Sequence, residues 1–434
     1  MMNPEFRRNL WLSFSTHRLI AMPALLGLVF ATAAYSLSNP GKALYITASA
    51  LFILIVWLWG AINANAAIIE EFRDKTWDQQ RMSALGPWTM AWGKLFGATS
   101  FNWYGGLLCL LALVFSGIAV DQPDWPLDLF SLIAGGILLH AALIALNLHA
   151  ARFEMRLIRR GGLGWLVIAF AVLFMQGFIW SARSPLSGVW WGITIDNQKF
   201  FLLASALLFM VCAVFAAWRL MSNALQVRTL PWAWPLFVII LTVYFGGFSR
   251  KESADNVFLL GFFIAAGLSY LMLFTEPNTL LVWNKLRARR QAGDWRGWLA
   301  DLPLWPTTVL LAFIFAMIAM PTLTAGLSVF PLVTALLLLR DACIVLFFSF
   351  APNARRPVST AILYIAVINL LLPFFFGKFG WSEVAHFFNP YFSLGSRAFF
   401  GGVGGSGIDL LIAGIHAAIA LGFVAWRLNR AARQ

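Results

Sequence analysis

The charged residues of this chain are few, and their spacing decides what chemistry is open to them. Glu70 and Glu71 close a long apolar stretch and begin a polar island that runs from Ile68 to Lys94. An acidic pair at such an edge can bind basic residues of a second protein, or it can stand as two solvated loop acids. Arg340 and Asp341 are neighbours well inside another apolar stretch. An ionisable pair is costly there unless it is paired or wetted, so it reads as a packing ion pair, a substrate or ion contact, or a misjudged span boundary. Asn63, Asn65, Gln176 and Asn369 can line a path or act as polar glue between helices. His140, His149 and His416 stand alone and read as hydrogen-bonded packing groups. The sequence has no HExxH, no DxD and no clustered His/Asp set, and Cys109, Cys212 and Cys343 lie far apart in apolar segments. Metal chemistry, a disulfide framework and paired-carboxylate catalysis are therefore not expected. A phosphate cradle is also missing: the run Gly401 to Gly407 lacks the lysine of GxxxxGK[ST].

The polar island is punctuated like a short helix. Thr76 followed by Gln79 has capping-box spacing, and Asp78 falls in the first turn, where it complements the helix dipole. Gly86 reads as the helix stop, and Pro87 can open a new helix because its missing N–H would be unpaired there anyway. Trp77, Arg81 and Trp88 accompany these positions. A compact capped helix held between membrane spans suggests a part on which another protein pushes.

Composition sets the surroundings. Of 434 residues, 61% are hydrophobic and 11% charged, where soluble domains average about 25% charged. The balance, with 40 Phe and 21 Trp, predicts an all-α polytopic membrane protein with aromatic belts. Residues 3–16 read as an interfacial amphipathic helix, opened by Asn3-Pro4 and striped by Phe6, Leu10 and Phe14. No cleavable signal is expected, because the first apolar span runs on without a small-residue cleavage site. About twelve spans follow, near 19–37, 44–66, 95–120, 127–150, 163–182, 199–221, 232–248, 255–275, 304–322, 329–350, 358–377 and 407–427. With a cytoplasmic N-terminus, most of the 31 Lys and Arg residues fall in inside loops. The positive-inside rule then puts both termini in the cytoplasm. The net charge of +13 belongs to this topology, and no nucleic-acid partner is expected.

The spans divide into two sets of six, residues 1–228 and 229–434. Each set has its longest cytoplasmic loop between its second and third spans and a basic connector after its fourth. Each also has an aromatic outside segment before its sixth span, at 184–198 and 380–402, and each ends on Ala-Trp-Arg-Leu. This predicts a duplicated unit, in parallel repeats about an axis along the membrane normal. The second long loop answers the first. Glu276 and the basic run KLRARR precede Gly293-Asp294, a stop and an N-cap. Trp295, Trp298, Leu299 and Leu302 then form the stripe of an amphipathic helix ended by Pro303.

The order Glu70-Glu71, Thr76-Trp77, Ala84-Leu85-Gly86-Pro87-Trp88 and Gly93-Lys94 with Gly97 resembles the coupling region of the membrane subunit of an ABC-2 type exporter. The resemblance implies an elbow helix before the first span, which 3–16 fits, and short re-entrant helices in the slot of 184–198. It implies docking of a cytoplasmic ABC ATPase, in two copies, on Glu70, Glu71, Thr76, Trp77, Arg81, Pro87 and Trp88, with Glu276, Asp294, Trp295 and Trp298 as the matching set. ATP and Mg would be held by that partner, and this chain would be no enzyme and hold no cofactor of its own. The second half departs from the pattern, with Leu302-Pro303-Leu304-Trp305 and no Gly-Lys. Most members carry one six-span unit and dimerise, whereas a fused chain supplies both halves as a pseudo-dimer, needing no homo-oligomer. The implied location is a bacterial inner membrane. Two rivals remain: a twelve-span ion-coupled secondary transporter and a membrane-embedded enzyme.

Overall fold

A computed structural model describes residues 3–36, 39–83, 85–151, 188–227, 229–248, 256–323, 328–351, 356–391 and 407–431. The expected span at 163–182, with Gln176, and the basic connector at 152–162 lie outside these residues.

The N-terminal expectation rests on local chemistry, and the structure follows it. Asn3 Oδ1 accepts from the N–H groups of Glu5 (3.0 Å) and Phe6 (3.4 Å), and Pro4 needs no partner at the first helical position. Helix α1 is Pro4–Ser13. It is followed by α2 (Thr16–Ser36), then by α3 (Pro40–Arg73), which continues four residues past Ile69 into the charged segment. The island itself holds α4 (Trp77–Arg81) and α5 (Pro87–Gly97), after which come α6 (Ser100–Ala119), α7 (Trp125–Ala151) and α8 (Gln198–Ala224). The remaining helices are α9 (Ala233–Gly246), α10 (Asn256–Thr275), α11 (Leu280–Gln291), α12 (Trp295–Asp301), α13 (Trp305–Ala319), α14 (Phe330–Ser349), α15 (Pro357–Lys378), α16 (Ser382–Phe388) and α17 (Gly407–Ala431).

Among the described residues, ten helices are long and apolar enough to cross a membrane, which is the architecture of a multi-pass membrane protein. The segment expected as a span at 232–248 forms α9, which is shorter than the other ten. The expected span near 95–120 is broken: α5 ends at Gly97, and α6 starts at Ser100 with Thr99 between β-like and helical backbone.

Two compact units make up the described chain. The first comprises Met1–Gly188 and Ile195–Thr229, the second Val189–Thr194 and Leu230–Gln434. In the first, Phe52, Val56, Leu113 and Leu143 form one fully buried cluster, and Ile68, Met90, Ile144 and Leu148 another. In the second, Phe262, Leu273, Ala312, Leu338 and Val345 form the main core. Each unit has a helix with a π-helical segment, Ile53–Trp59 in α3 and Val367–Leu371 in α15. A π turn frees carbonyls from the regular ladder. In α3 they are taken up by side chains: Asn102 Nδ2 donates to Ile55 O at 2.9 Å, and His140 Nε2 meets Val56 O at 2.8 Å.

The described part of the 184–198 slot is not a re-entrant helix. Val189–Trp190 and Ile193–Thr194 pair as an antiparallel hairpin, β1 and β2, around Trp191 and Gly192, both at positive φ. That is the backbone of a two-residue turn whose twist suits the strands. The hairpin is fastened to the end of α9 by Trp190 Nε1 on Tyr244 O (3.0 Å) and Trp191 Nε1 on Val243 O (3.1 Å).

Candidate functional site

The polar island closes on itself around one lysine. Lys94, two turns into α5, is 1% exposed and forms ion pairs with two buried carboxylates. One is Glu71 at the end of α3, and the other is Glu5 in the first turn of α1, 3.3 Å from Lys94 Nζ. Arg8, half-exposed, closes the cluster from outside, with Nη1 3.2 Å from Glu5 and Nη2 3.3 Å from Glu71. Gln80 of α4 donates its amide to Glu71, and Asn9 Nδ2 donates to Glu5 Oε1 at 3.2 Å. Two carboxylates and two cations therefore balance, and the leftover lone pairs are met by amides. A buried ion cluster needs both conditions to offset desolvation. Trp77 completes the site: it is buried, stacks on Phe72 at 4.6 Å, and turns its ring toward Lys94 Nζ at 5.8 Å.

The backbone explains how four elements reach one point. Lys75 adopts φ 59°, and the N–H of Thr76 bonds back to Glu71 O at 3.0 Å, so the chain folds sharply under α3. Asn3 Nδ2 donates to Thr89 O at 2.6 Å, tying the start of α1 to the start of α5. Gly93 and Gly97 lie one turn apart and give α1 its seat. A Cβ on Gly93 would stand 2.7 Å from Glu5 Cβ, and one on Gly97 would stand 2.8 Å from Asn9 Cβ. Close backbone approach of this kind is what glycines at i and i+4 permit in membranes. Gly97→Leu is accordingly expected to displace α1 and cost about 1–3 kcal/mol as an overpacked contact, read as faster trypsin cleavage at Arg7 and Arg8.

Several expectations change here. Thr76 makes no capping bond to its helix; its hydroxyl donates to Glu71 O at 3.3 Å. The reaching amide belongs to Gln80 and goes to a carboxylate, so the Thr76–Gln79 capping box is replaced by an acid-centred network. Gly86 is not the helix stop: α4 ends at Arg81, and Gly86 sits in extended backbone (φ −67°, ψ 154°) as the cap before Pro87. Asp78 and Pro87 stand in the expected first turns. Glu71 faces inward, paired within the chain, whereas Glu70 is exposed. Arg81 is also exposed and loosely paired with Asp78 at 3.8 Å, Met82 is 80% exposed and Trp88 51%. Helix α1 is more than an interfacial anchor, because its polar side carries two of the cluster's charges.

The matching slot of the second unit is built differently. Glu276 is also buried, but its Oε2 accepts from the backbone N–H groups of Leu304 (2.7 Å) and Trp305 (3.3 Å). A carboxylate here caps the start of α13 where the first unit uses a lysine. Asn278 Oδ1 accepts from Trp305 Nε1 at 2.9 Å. Gly293, at φ 71°, and Asp294, which caps Gly297 N at 2.9 Å, stand in their expected roles. The basic run KLRARR is helical, as α11, which the sequence did not suggest. Arg289 joins it to α12 through Asp294 (3.1 Å) and Asp301 (2.6 Å). Trp295 and Leu299 face outward, while Leu302 leaves the helix in extended backbone.

Arg340 and Asp341 form the second polar centre. Both are buried in α14, and Arg340 Nη2 lies 2.7 Å from Asp341 Oδ1. The same Nη2 donates to Asn369 Oδ1 (2.7 Å), in the π segment of α15, and Nη1 meets His416 Nδ1 of α17 at 3.3 Å. Tyr270 of α10 donates to Asp341 Oδ2 at 2.7 Å. Four helices thus meet on one ion pair. Asn389 Nδ2 extends the set through Asn369 O at 2.9 Å, and Tyr391, whose hydroxyl is pushed up by burial, bonds Thr334 at 2.6 Å. Asn63 pairs with Asn102 at 2.7 Å in the first unit. Among the described residues, no group of three His, Cys, Asp or Glu could hold a metal ion.

Glu5, Arg8, Asn9 and Gln80, with Tyr270 and His416 at the second centre, carry the two networks without having been singled out as site residues. The signal available for the first was Lys94 between two glycines of an apolar stretch, a position where a lysine must bring a carboxylate with it. No known protein family, curated protein or solved structure matches the chain.

Proposed function

We propose that this chain is the permease of an ATP-driven ABC-2 type exporter, with two parallel six-span halves forming a pseudo-dimer and both termini cytoplasmic. The observation that carries the reading is the Lys94 cluster, in which the short helix α4 is joined through Gln80 and Glu71 to α3, and through Lys94 to α5 and α1. A force applied to α4 is then delivered to the span α3, to the short helix α5 that leads into the next span, and to the elbow helix together, as a coupling element requires. A cytoplasmic ABC ATPase in two copies, binding ATP and Mg, supplies that force in this proposal. Its docking surface is the exposed rim of Glu70, Arg81, Met82 and Trp88 rather than Glu71, with exposed Trp295 as the second unit's counterpart.

Purification of the full chain from its own inner membrane is expected to yield one chain with two copies of an ABC ATPase. The pair Glu70→Arg and Met82→Glu is expected to lose the ATPase while thermal stability stays unchanged, since neither side chain is packed. A dimer of this chain, or undiminished complex in the double variant, overturns the reading. Glu71→Lys is unsuitable for this test, because it sets a third cation beside Lys94 and Arg8. The cluster of Arg340, Asp341, Tyr270 and His416 favours a second reading, an ion-coupled secondary transporter. Transport driven by an ion gradient without any ATPase would select it.

A further inference from the structure

A shallow, largely open hollow lies on one exposed stripe of α17 toward its C-terminal end. Its lining is Ile419, Gly422, Phe423 and Trp426, spaced i, i+3, i+4, i+7 along one stripe. All four are exposed, and a Cβ on Gly422 would meet nothing within 4 Å, so the glycine is a notch with free space above it. One turn on, the stripe reaches Arg430, whose guanidinium lies over the Trp426 ring at 5.6 Å. A second arginine arrives from α11: Arg287 Nη2 donates to Asn429 Oδ1 at 3.4 Å, next to Arg430. Neither arginine pairs with a carboxylate among the described residues, whereas Lys285 and Arg289 of the same helix are both held by Asp301.

From Ile419 to Arg430 the helix rises about 16 Å, close to the hydrocarbon depth of one leaflet, half of about 30 Å. An apolar stripe of about 10 Å, which reaches one leaflet's depth with the arginine above it and is topped by two uncompensated guanidinium groups, is complementary to a phospholipid with a net negative headgroup. We propose that the second unit carries a binding site for one anionic phospholipid, with an acyl chain along Ile419, Gly422, Phe423 and Trp426 and its phosphate between Arg287 and Arg430. Arginine suits this task because its planar fork holds two phosphate oxygens at once. A zwitterionic lipid fits the stripe equally well but brings its own cation to the arginines, so the discrimination lies in the headgroup. The site requires only that α17 crosses a bilayer, and it stands whichever energy source drives the protein.

The test is photo-crosslinking in the full chain with benzoyl-phenylalanine in place of Phe423. The chain is reconstituted in nanodiscs of equal parts phosphatidylglycerol and phosphatidylethanolamine, and the adducts are identified by mass spectrometry. Phosphatidylglycerol adducts are expected in clear excess over its share. Arg287→Gln and Arg430→Gln are each expected to reduce that excess about fivefold, and the double variant to return it to the bulk ratio. Gly422→Leu fills the notch and is expected to lower the yield with both lipids. Thermal unfolding is read for every variant, and the exposure of these positions predicts no change. Adducts at the bulk ratio in the unsubstituted background overturn the proposal. So do a phosphatidylglycerol excess that survives both arginine replacements and an adduct with a protein chain in place of lipid.

Discussion

Lys94→Met is expected to destabilise the detergent-solubilised protein by about 3–5 kcal/mol, the cost of removing one partner from a buried ion pair. Methionine keeps most of the volume and removes the charge. Glu5 and Glu71 then remain 4% and 8% exposed with only half-exposed Arg8 between them, so one negative charge is left without a partner. The measurement is the unfolding midpoint in a denaturant series, with monodispersity on gel filtration as a first reading. A decisive companion is Lys94→Met with Glu5→Gln. It restores charge balance, leaves the Glu71–Arg8 pair intact, and is expected to recover at least half of the loss. A pair on an open surface contributes less than about 1 kcal/mol. A loss that small in the single variant would mean that Lys94 is solvated, and the four-element junction would fall with it.

The difference between these two outcomes marks how far the sequence could be read. Asn3-Pro4 announces the start of α1 because capping is settled within three residues, and Gly293-Asp294 announces α12 for the same reason. Spans are legible because twenty apolar residues leave few alternatives. Glu5 was not legible: on an amphipathic helix it looks like one more solvated acid, and only the arrival of Lys94, 89 positions later, buries it. Thr76 and Gln79 show the reverse failure. Their spacing is correct for a capping box, but Gln80 is drawn to Glu71 and the hydroxyl to a carbonyl of α3, so a tertiary partner outbids the local one. Gly93-Lys94 and Gly97 were visible as a motif, yet their physical purpose, a seat for α1 and a counter-ion for its acid, belongs to the packing. The hairpin at Val189–Thr194 was likewise hidden, since Trp191 at positive φ is not a residue type that advertises a turn.

The two units also show one position solved by different chemistry. An acid lies at the end of α3, as Glu71, and just past the end of α10, as Glu276, and both are buried. Glu71 draws in side-chain cations, whereas Glu276 takes two backbone N–H groups at the start of α13. The missing Gly-Lys of the second half therefore leaves no orphan charge. It changes which elements are tied together: four in the first unit, and the α10–α13 corner in the second. Unequal coupling of the halves follows as an expectation of the proposed mechanism.

Arg340 and Asp341 are the positions where a paired replacement separates the two functional readings. Arg340→Met leaves Asp341 buried with Tyr270 as its remaining partner and unties Asn369 and His416, so a loss of about 3–5 kcal/mol is expected. Arg340→Lys is expected to fail nearly as badly, since one ammonium cannot span Asp341, Asn369 and His416 from a planar fork. The informative variant is Arg340→Met with Asp341→Asn. It removes both charges together, keeps an acceptor for the Tyr270 hydroxyl, and is expected to recover most of the stability. If the ion pair serves packing, as an ATP-driven permease allows, reconstituted double-variant protein transports at close to the original rate. If the pair carries an ion or a proton, the double variant folds and does not transport, and an ion-gradient mechanism takes precedence. Stability and transport must be measured on the same preparation, because the single variants lose both and discriminate nothing.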